Sequence, residues 1–256
     1  MSWRVLRTSL VALAVIAFGS NAVNAAVVEI DQRNARAGKV TEEDAPGFPV
    51  TISEPGSYRL TSNLLVDDAG TTAIEITASD VTLDLGGFSI IGPNICEGNP
   101  VVCVISGGAG IGIKAVAAEG PSPENVRVSN GTVRGMSGHG IRLIGNGTVV
   151  ERVHAVSNGG PGIVVGLGSI IDSVAMFNGS GAAVVGLIVR GTVSTNNVFG
   201  IFVRPGGVAT GNSAIANAVT GLTAQCPAVV VGNSTVNNGT NLEVNGMCAV
   251  ADHAQQ

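Results

Sequence analysis

The segment from Gly140 to Ser180 reads GIRLIGNGTVVERVHAVSNGGPGIVVGLGSIIDSVAMFNGS, which is nearly two copies of one pattern. Each copy begins with a glycine and an apolar run, continues with a second apolar run, and reaches an asparagine at Asn158 or Asn178. Runs of three to five residues are too short for helices, and Val, Ile and Thr favour strands. A unit built only from short strands cannot bury its apolar side alone, so it must stack on similar units.

The pattern continues towards residue 250 as three columns of recurring residues. One column is a glycine before an apolar pair, at Gly147, Gly168, Gly186 and Gly207, with Ala228 in the same place, in steps of 21, 18, 21 and 21 residues. The second is a turn asparagine, at Asn158, Asn178, Asn196 or Asn197, Asn217, and Asn237 or Asn238. The third is a glycine that opens a strand, at Gly140, Gly162, Gly200 and Gly221.

These periods predict an all-β, single-domain parallel β-helix of about seven coils, roughly 35 Å long. The alternative is an antiparallel β-sandwich, which also uses many short strands. A sandwich predicts turns every 8 to 12 residues, but it does not predict the same residue type at every twentieth position. The repeat therefore favours the solenoid.

The domain boundaries follow from where the repeat starts and stops. Residues 26–50 lack periodicity and are predicted to be an extended N-terminal arm, residues 51–250 form the β-helix, and residues 251–256 form a tail. Solenoid ends need a cap, and we expect residues 52–66 to supply a covering strand. Pro- and Gly-rich sequence predicts two loops inserted into the coils, at residues 94–108 and 117–124.

Residues 1–25 contain Arg4 and Arg7, then an apolar run of nine residues and a small-residue end, which predicts a secretory signal peptide cut after Ala25. Nine apolar residues are too few to span a bilayer, and no other apolar stretch has membrane length. Cleavage would remove two arginines and no acid, which changes the formal charge from -5 to -7. We therefore expect a secreted or periplasmic protein with no transmembrane segment in the mature chain.

Composition excludes several classes of protein. The chain has 256 residues, 37 of them glycine, with 45% hydrophobic, 3% aromatic and 12% charged residues. It is too apolar to be disordered and too poor in charge to be a coiled coil. Its negative charge argues against nucleic acid as a partner.

An exported chain meets an oxidising compartment, so its four cysteines are interpreted as disulfides. Of the three pairings that four cysteines allow, we predict Cys96 with Cys103 and Cys226 with Cys248. Metal binding would need CxxC-like spacing with nearby histidines, and this sequence has neither, so no metal site is predicted.

EPGSYRL (54–60) and DVTLDLGGFSIIGP (80–93), followed by loose GI…N repeats, resemble exported bacterial proteins with right-handed parallel β-helix repeats, of the pectate-lyase-like superfamily. The resemblance covers roughly residues 45–250 and includes Cys226 and Cys248. It implies that the β-helix is right-handed, but it implies no single activity, because the superfamily contains lyases, hydrolases, epimerases, adhesins and members without a known reaction.

The family's polygalacturonate hydrolases carry clustered aspartates on adjacent coils, whereas this chain has only Glu151 and Asp172 between Glu124 and Glu243. Counting four residues from each of three column glycines gives Glu151, Asp172 and Arg190. If these stack on successive coils, two carboxylates about 5 Å apart can share a proton or a cation, and Arg190 can bind a uronate. The structural alternative is a surface charge ladder worth under about 1 kcal/mol. A register set by the asparagines would instead place Arg152 in line with Asp172.

A second candidate cluster is His139, Arg142 and His154, with Arg134 nearby in sequence. Histidine can act as a base near neutral pH, and arginine can neutralise a substrate carboxylate, as a lyase or epimerase requires. In the structural alternative, His139 lies at a turn and His154 on a solvated strand, and neither takes part in chemistry.

Two hypotheses follow, and the sequence does not decide whether the protein is an enzyme. The first is a non-catalytic exported protein, without a cofactor, that presents a surface to a polysaccharide or a cell-surface glycan. The second is a polysaccharide lyase or uronate epimerase acting on an anionic glycan, with His139, Arg142, His154, Glu151 and Asp172 as catalytic candidates and Arg134 and Arg190 as substrate-binding candidates. Only the second would call for calcium.

Overall fold

The computed structural model describes residues 26–104 and 108–255, so the predicted signal peptide lies outside the described residues. The elements in chain order are β1 (Val28–Ile30), α1 (Gln32–Ala37), β2 (Val50–Ile52), β3 (Gly56–Leu60), β4 (Leu64–Leu65), β5 (Ile74–Ile76), β6 (Val81–Asp84), β7 (Ser89–Ile91), β8 (Cys96–Glu97), β9 (Val102–Cys103), β10 (Ile113–Ala115), β11 (Arg127–Arg134), β12 (Ile141–Val156), β13 (Ile163–Ile171), β14 (Val174–Met176), β15 (Ala182–Arg190), β16 (Val193–Thr195), β17 (Phe199–Thr210), β18 (Ser213–Ile215), β19 (Thr220–Gln225), β20 (Val229–Val231), β21 (Ser234–Val236), β22 (Thr240–Asn245), β23 (Ala249–Ala251) and β24 (Ala254–Gln255). Among these residues no helix has the length and apolarity to cross a membrane.

Parallel pairing arranges the strands on three sides of a solenoid, here named faces A, B and C, which the chain visits in that order in each coil. Face A contains β2, β5, β10, the first parts of β12, β13, β15 and β17, then β19 and β22. Face B contains β1, β3, β6, the first part of β11, later parts of β12, β13, β15 and β17, then β20 and β23. Face C contains β4, β7, the ends of β11 and β12, then β14, β16, β18, β21 and β24.

The chain is a parallel β-helix. All strand pairs between coils are parallel in the described residues, and only β8 and β9, in an inserted hairpin, are antiparallel. This excludes the sandwich. The solenoid has about ten turns, not seven, and ten face B strands at about 4.8 Å span roughly 43 Å. The extra turns come from early coils whose period is hidden by insertions and from segments outside the repeat.

The core consists of aliphatic side chains that stack in columns. On face B, seven successive inward positions are fully buried, at Leu83, Val128, Val150, Ile170, Val189, Ala209 and Val230. Aliphatic side chains suit this narrow interior, because each one must fit against an equivalent neighbour about 4.8 Å above and below. The low aromatic content of the sequence follows from this geometry.

Buried asparagines close the corner between faces C and A. Asn158, Asn178, Asn197 and Asn217 are at most 1% exposed. The Asn178 amide donates to the carbonyl of Ala155 and to Asn197 Oδ1, both at 3.0 Å, and its own Oδ1 accepts from the Asn158 amide at 3.0 Å. Each asparagine therefore links consecutive coils, which confirms that the asparagine column is structural.

The N-terminal end is covered by α1, not by the strand predicted within residues 52–66. That segment forms regular strands of all three faces, β2 to β4. Residues 26–50, predicted to be an extended arm, contain β1 and α1. Asp31 Oδ1 accepts from the backbone N–H groups of Arg33 and Asn34 at the start of α1, and Gly38 ends the helix at φ 63°.

The helix also satisfies the edge of the first face C strand. The Gln32 side chain accepts from the Leu65 backbone N–H at 2.8 Å and donates to its carbonyl at 3.2 Å. Ala35 on the same helix is fully buried in the solenoid core. Sequence periodicity missed this cap because a six-residue helix leaves no repeat. At the other end, the predicted tail contains β24 and the end of β23, which continue faces C and B.

Both predicted disulfides, Cys96–Cys103 and Cys226–Cys248, are confirmed. Cys96–Cys103 joins β8 to β9 in the hairpin that interrupts the passage from face C to face A. This hairpin lies along the C–A corner of later coils, because Ser157 Oγ donates to the Cys96 carbonyl at 2.8 Å and the Asn99 amide donates to the Ala216 carbonyl at 3.0 Å. It therefore reaches across several coils.

We predict that Asn178→Ala lowers the free energy of unfolding by about 3 kcal/mol, because it removes the hydrogen bonds that the buried Asn158 and the Ala155 carbonyl of the preceding coil make with the Asn178 side chain. Denaturant unfolding measures the change. Asn245→Ala, at an exposed position, is the control and should cost less than about 0.5 kcal/mol. Equal losses in the two variants would contradict a stabilising role for the asparagine ladder.

Candidate functional site

The outward side chains of face A form one line along the solenoid. Strand register places eight of them in sequence, at Glu75, Lys114, Arg142, Val164, Val185, Phe202, Thr223 and Glu243. At about 4.8 Å per coil, the line is roughly 34 Å long. Its chemistry changes along the axis, from charged residues through aliphatic ones to an aromatic ring and polar groups.

Two insertions leave from opposite edges of face A. The disulfide hairpin lies at the edge towards face C, and the connection from β10 to β11 lies at the edge towards face B. In that second insertion, Glu124 accepts from the Asn146 amide at 2.6 Å, and its backbone N–H donates to Ser79 Oγ at 3.0 Å. Both predicted insertions are therefore present, and face A is the side of the solenoid that lies between them.

An aromatic depression occupies the later part of face A. It has a volume of about 380 Å³, and Phe199 and Phe202 line it together with Thr223, Glu243 and Asn245. Phe199 is 38% exposed. The depression therefore offers apolar ring surface beside groups that form hydrogen bonds.

A second depression, also of about 380 Å³, lies at the C–A edge and is lined by Ser137, His139, Arg142 and Pro161. Burial lowers the pKa of His139 below its ordinary value of 6.5, and the positive charge of Arg142 lowers it further. The imidazole is therefore neutral at pH 7. Ser137 Oγ is buried and has no hydrogen-bond partner among the described residues.

The two cations of face A differ in how they are paired. Lys114 Nζ lies 2.6 Å from a carboxylate oxygen of Glu75, and both side chains are about 70% buried. Arg142, on the next coil, has no ion-pair partner in the described part of the chain. Its guanidinium can therefore receive a carboxylate from a ligand.

The predicted cluster of His139, Arg142, His154 and Arg134 is divided between two faces. His139 and Arg142 lie together at face A. His154 is exposed on face C, between Thr132 and Val174 in register, and Arg134 is exposed at the end of the preceding face C strand. The prediction grouped these residues because they are close in sequence. The twelve residues from Arg142 to His154, however, carry the chain more than half-way around a coil.

The predicted stack of Glu151, Asp172 and Arg190 is wrong. Glu151 pairs in register with Ile171, and Ile171 pairs with Arg190, all on face B. Asp172 lies one residue later, at a corner, in line with Arg152, as the alternative register predicted. The counting failed because Gly168 lies one residue before its face B segment, which begins at Ser169, whereas Gly147 and Gly186 each lie two residues before theirs.

Glu151 is held in ion pairs with two arginines. Its carboxylate lies 2.8 Å from guanidinium nitrogens of both Arg127 and Arg152. Burial acts to raise the pKa of Glu151, but the hydrogen bonds and charges of the two arginines outweigh it and hold that pKa below its ordinary value. A carboxylate stabilised in its charged form is a poor shared-proton site.

Sequence reasoning missed Phe199, Phe202 and Glu243 as site residues. The signal was available, since GIFVR at 200–204 fills the same column as GIVVG at 162–166 with a phenylalanine at an outward position. Only the register showed that this position continues the line that contains Arg142.

No family model and no curated protein matches this chain. Among solved structures, it is similar to the Dettilon tailspike protein, with 15% identity and a TM-score of 0.45 over 79% of this chain and 50% of the tailspike chain. It is also similar to the A-module of a mannuronan C-5 epimerase from Azotobacter vinelandii, with 14% identity and a TM-score of 0.35 over 79% of this chain and 89% of the module. This chain thus spans about half the length of the tailspike chain.

We predict that Arg142→Gln raises the pKa of His139 towards 6.5 without reaching it, because the charge is lost and the burial remains. A histidine NMR titration measures the shift. Arg190→Gln on face B is the control and should leave His139 unchanged. An unchanged pKa in the Arg142 variant would contradict their proximity.

The same shift predicts a pH dependence of stability. The folded state disfavours the protonated imidazole, so the stability that His139 contributes is complete above about pH 6.5 and is lost as the pH falls through its folded pKa. Urea unfolding at pH 7.5 and pH 5 should show a smaller acid loss in His139→Gln than in the unaltered protein. Identical losses would be evidence against the buried, neutral imidazole.

Proposed function

We propose that this protein is a non-catalytic, exported β-helix protein that binds an extended polysaccharide along face A. The line of outward side chains from Lys114 to Glu243, between two insertions, is the observation that carries the proposal. A linear polymer can contact a linear array of side chains at several successive coils, and many weak contacts then add to a useful affinity.

The aromatic depression supplies the chemistry that sugar rings require. A sugar presents C–H groups on its ring faces and hydroxyl groups at its rim. The rings of Phe199 and Phe202 provide apolar surface, and Thr223, Glu243 and Asn245 provide hydrogen-bonding groups beside it.

Arg142 extends this recognition to anionic sugars. A guanidinium binds a carboxylate through two parallel hydrogen bonds, and Arg142 has no carboxylate partner in the described residues. It lies three coils from Phe202, or roughly 14 Å along the line. One polysaccharide segment could therefore contact both groups.

The distribution of titratable groups supports binding without turnover. An acid or base must lie within hydrogen-bond reach of the atom it serves. Of the catalytic candidates, only His139 and Arg142 share a depression, whereas Glu151, Asp172 and His154 lie on other sides of the solenoid. The described residues also contain no group of three His, Cys, Asp or Glu side chains placed to hold a metal ion, so we assign no step to calcium.

One observation favours the second candidate function, a polysaccharide lyase or uronate epimerase. His139 is neutral at pH 7 and lines the same depression as Arg142. The imidazole could accept the proton of the carbon beside a uronate carboxylate, while Arg142 stabilised the negative charge on that carboxylate.

We predict that Phe202→Ala weakens polysaccharide binding by roughly tenfold, because it removes a ring from the contact with the sugar. A tenfold loss corresponds to about 1.4 kcal/mol of binding free energy. Affinity electrophoresis and calorimetry against a panel of neutral and uronate polysaccharides provide the measurement. Arg142→Gln should weaken only the uronate ligands. Arg190→Gln, on face B, is the matched charge control and should change the affinity for neither the neutral nor the uronate polysaccharides. If the unaltered protein binds no glycan, the proposal is wrong.

Turnover distinguishes the two candidate functions. Each uronate polysaccharide is incubated with the protein, with and without calcium, while absorbance reports unsaturated uronate and proton NMR reports epimerised residues. We expect neither product. Turnover that His139→Ala abolishes would establish the enzymatic function instead.

A further inference from the structure

The two depressions of face A are parts of one groove. Ser180 lines the depression that contains Arg142, and the next residue, Gly181, lines the depression that contains Phe202. Both depressions include residues at the starts of face A strands, so the groove follows the edge of face A that lies towards face C. A ligand long enough to fill one depression therefore continues directly into the other.

The two ends of this groove carry opposite charges. At one end, Arg142 has no ion-pair partner in the described part of the chain, and no acid lines its depression. At the other end, Glu243 is exposed, and its carboxylate oxygens lie 3.4 Å from the Thr223 hydroxyl and 3.5 Å from the Asn245 amide. No cation pairs with Glu243 among the described residues, so its negative charge faces the ligand.

The groove between these ends contains no further cation. The four outward positions that separate Arg142 from Glu243 in register are uncharged, at Val164, Val185, Phe202 and Thr223. Arg204 follows Phe202 by two residues on the same strand, which places it roughly 7 Å towards face B, and it lines neither depression. The disulfide hairpin at the other edge adds Glu97 and no cation.

The spacing of the coils matches the length of a sugar. Neighbouring strands of face A lie about 4.8 Å apart, which is close to the length of one pyranose ring in an extended chain. Successive rings of a bound polysaccharide therefore meet successive coils. If the first ring lies at Arg142, the fourth lies at Phe202 and the sixth at Glu243.

A sugar carboxylate has opposite effects at the two ends. On the ring at Arg142, it can accept two parallel hydrogen bonds from the guanidinium. On the rings between Phe202 and Glu243, it loses water beside an aromatic surface, finds no cation that lines the groove, and is repelled by the Glu243 carboxylate. A neutral ring at the same place presents C–H groups to Phe202 and donates hydroxyl hydrogen bonds to Glu243.

We propose that face A selects an acidic heteropolysaccharide in which each uronate is followed by a run of neutral sugars. A polymer made only of uronates binds less tightly, because it must place carboxylates beside Glu243. This inference rests on the proposed glycan binding and adds the spacing of charges that the ligand must have. The opposite charges of the two ends also give the bound chain one direction, with its neutral run pointing from Arg142 towards Glu243.

Polymers that differ only in charge density test the proposal. Polygalacturonate and polymannuronate, each of one chain length, are chemically reduced to different extents, so that a rising share of carboxylates becomes neutral hydroxymethyl groups. Calorimetry of the purified protein, with both disulfides intact, measures the affinity for each polymer. We expect the affinity to be highest at intermediate reduction, where roughly one sugar in six keeps its carboxylate, and lower for the fully charged and the fully reduced polymers.

Three variants assign this maximum to the two ends of the groove. Glu243→Gln should raise the affinity for the fully charged polymer about threefold, the size expected for one exposed charge pair, and leave that for the fully reduced polymer unchanged. Arg142→Gln should remove the maximum, so that affinity rises steadily with reduction. Glu29→Gln removes the same charge from an exposed position on face B and is the matched control, which should leave the profile unchanged.

The possible failures of this inference and of the proposed function are distinguishable. An affinity that is highest for the fully charged or the fully reduced polymer, or equal effects of the Glu243 and Glu29 variants, would overturn the inference and leave glycan binding by face A standing. Binding of another polysaccharide, together with no binding of any member of either series, would do the same. If no glycan binds, the proposed function is wrong and the inference is wrong with it.

Discussion

Each buried asparagine at the C–A corner hydrogen-bonds to the coils above and below it, and the rest of the structure depends on this exact repetition. The side-chain amide of Asn178 replaces the partners that its neighbours' backbone groups lose where the chain turns. A buried amide is stable only when all its polar atoms are satisfied, so each asparagine requires another one coil away. The ladder thereby keeps the coils in register, and the register aligns the outward positions of all three faces.

Function can then be placed on the outward positions without cost to the core. Inward residues must be aliphatic and of similar size, whereas outward residues such as Arg142 and Phe202 are restricted only by their neighbours in the same line. Insertions are tolerated at the corners because the chain leaves and re-enters the coil without disturbing the ladder. Face A is distinguished by having one insertion at each edge, and its two depressions hold the exposed aromatic rings and the arginine without a paired carboxylate.

The end of the solenoid follows from the same interaction. A coil is stabilised by its neighbours, and within the described residues the last coil pairs with the preceding coil only. The Cys226–Cys248 disulfide and the asparagine ladder hold that coil to the solenoid but do not cover Val250 or the edges of β22 to β24. At the N-terminal side, α1 meets the same requirement, because the Gln32 side chain satisfies the edge of β4.

The sequence by itself determined the parallel β-helix, the structural role of Asn158 to Asn238, both insertions and both disulfides, because these depend on residue types that recur at a fixed step or on short spacings. It did not determine the helical cap, since α1 does not repeat, or the number of coils, since the early ones are interrupted. The tertiary structure alone decided which candidate residues meet. A side chain's face depends on the position of every corner before it, so an error of one residue separated Glu151 from Asp172, and half a coil separated Arg142 from His154. The same register placed Arg142 and Phe202, sixty residues apart in the chain, in one line.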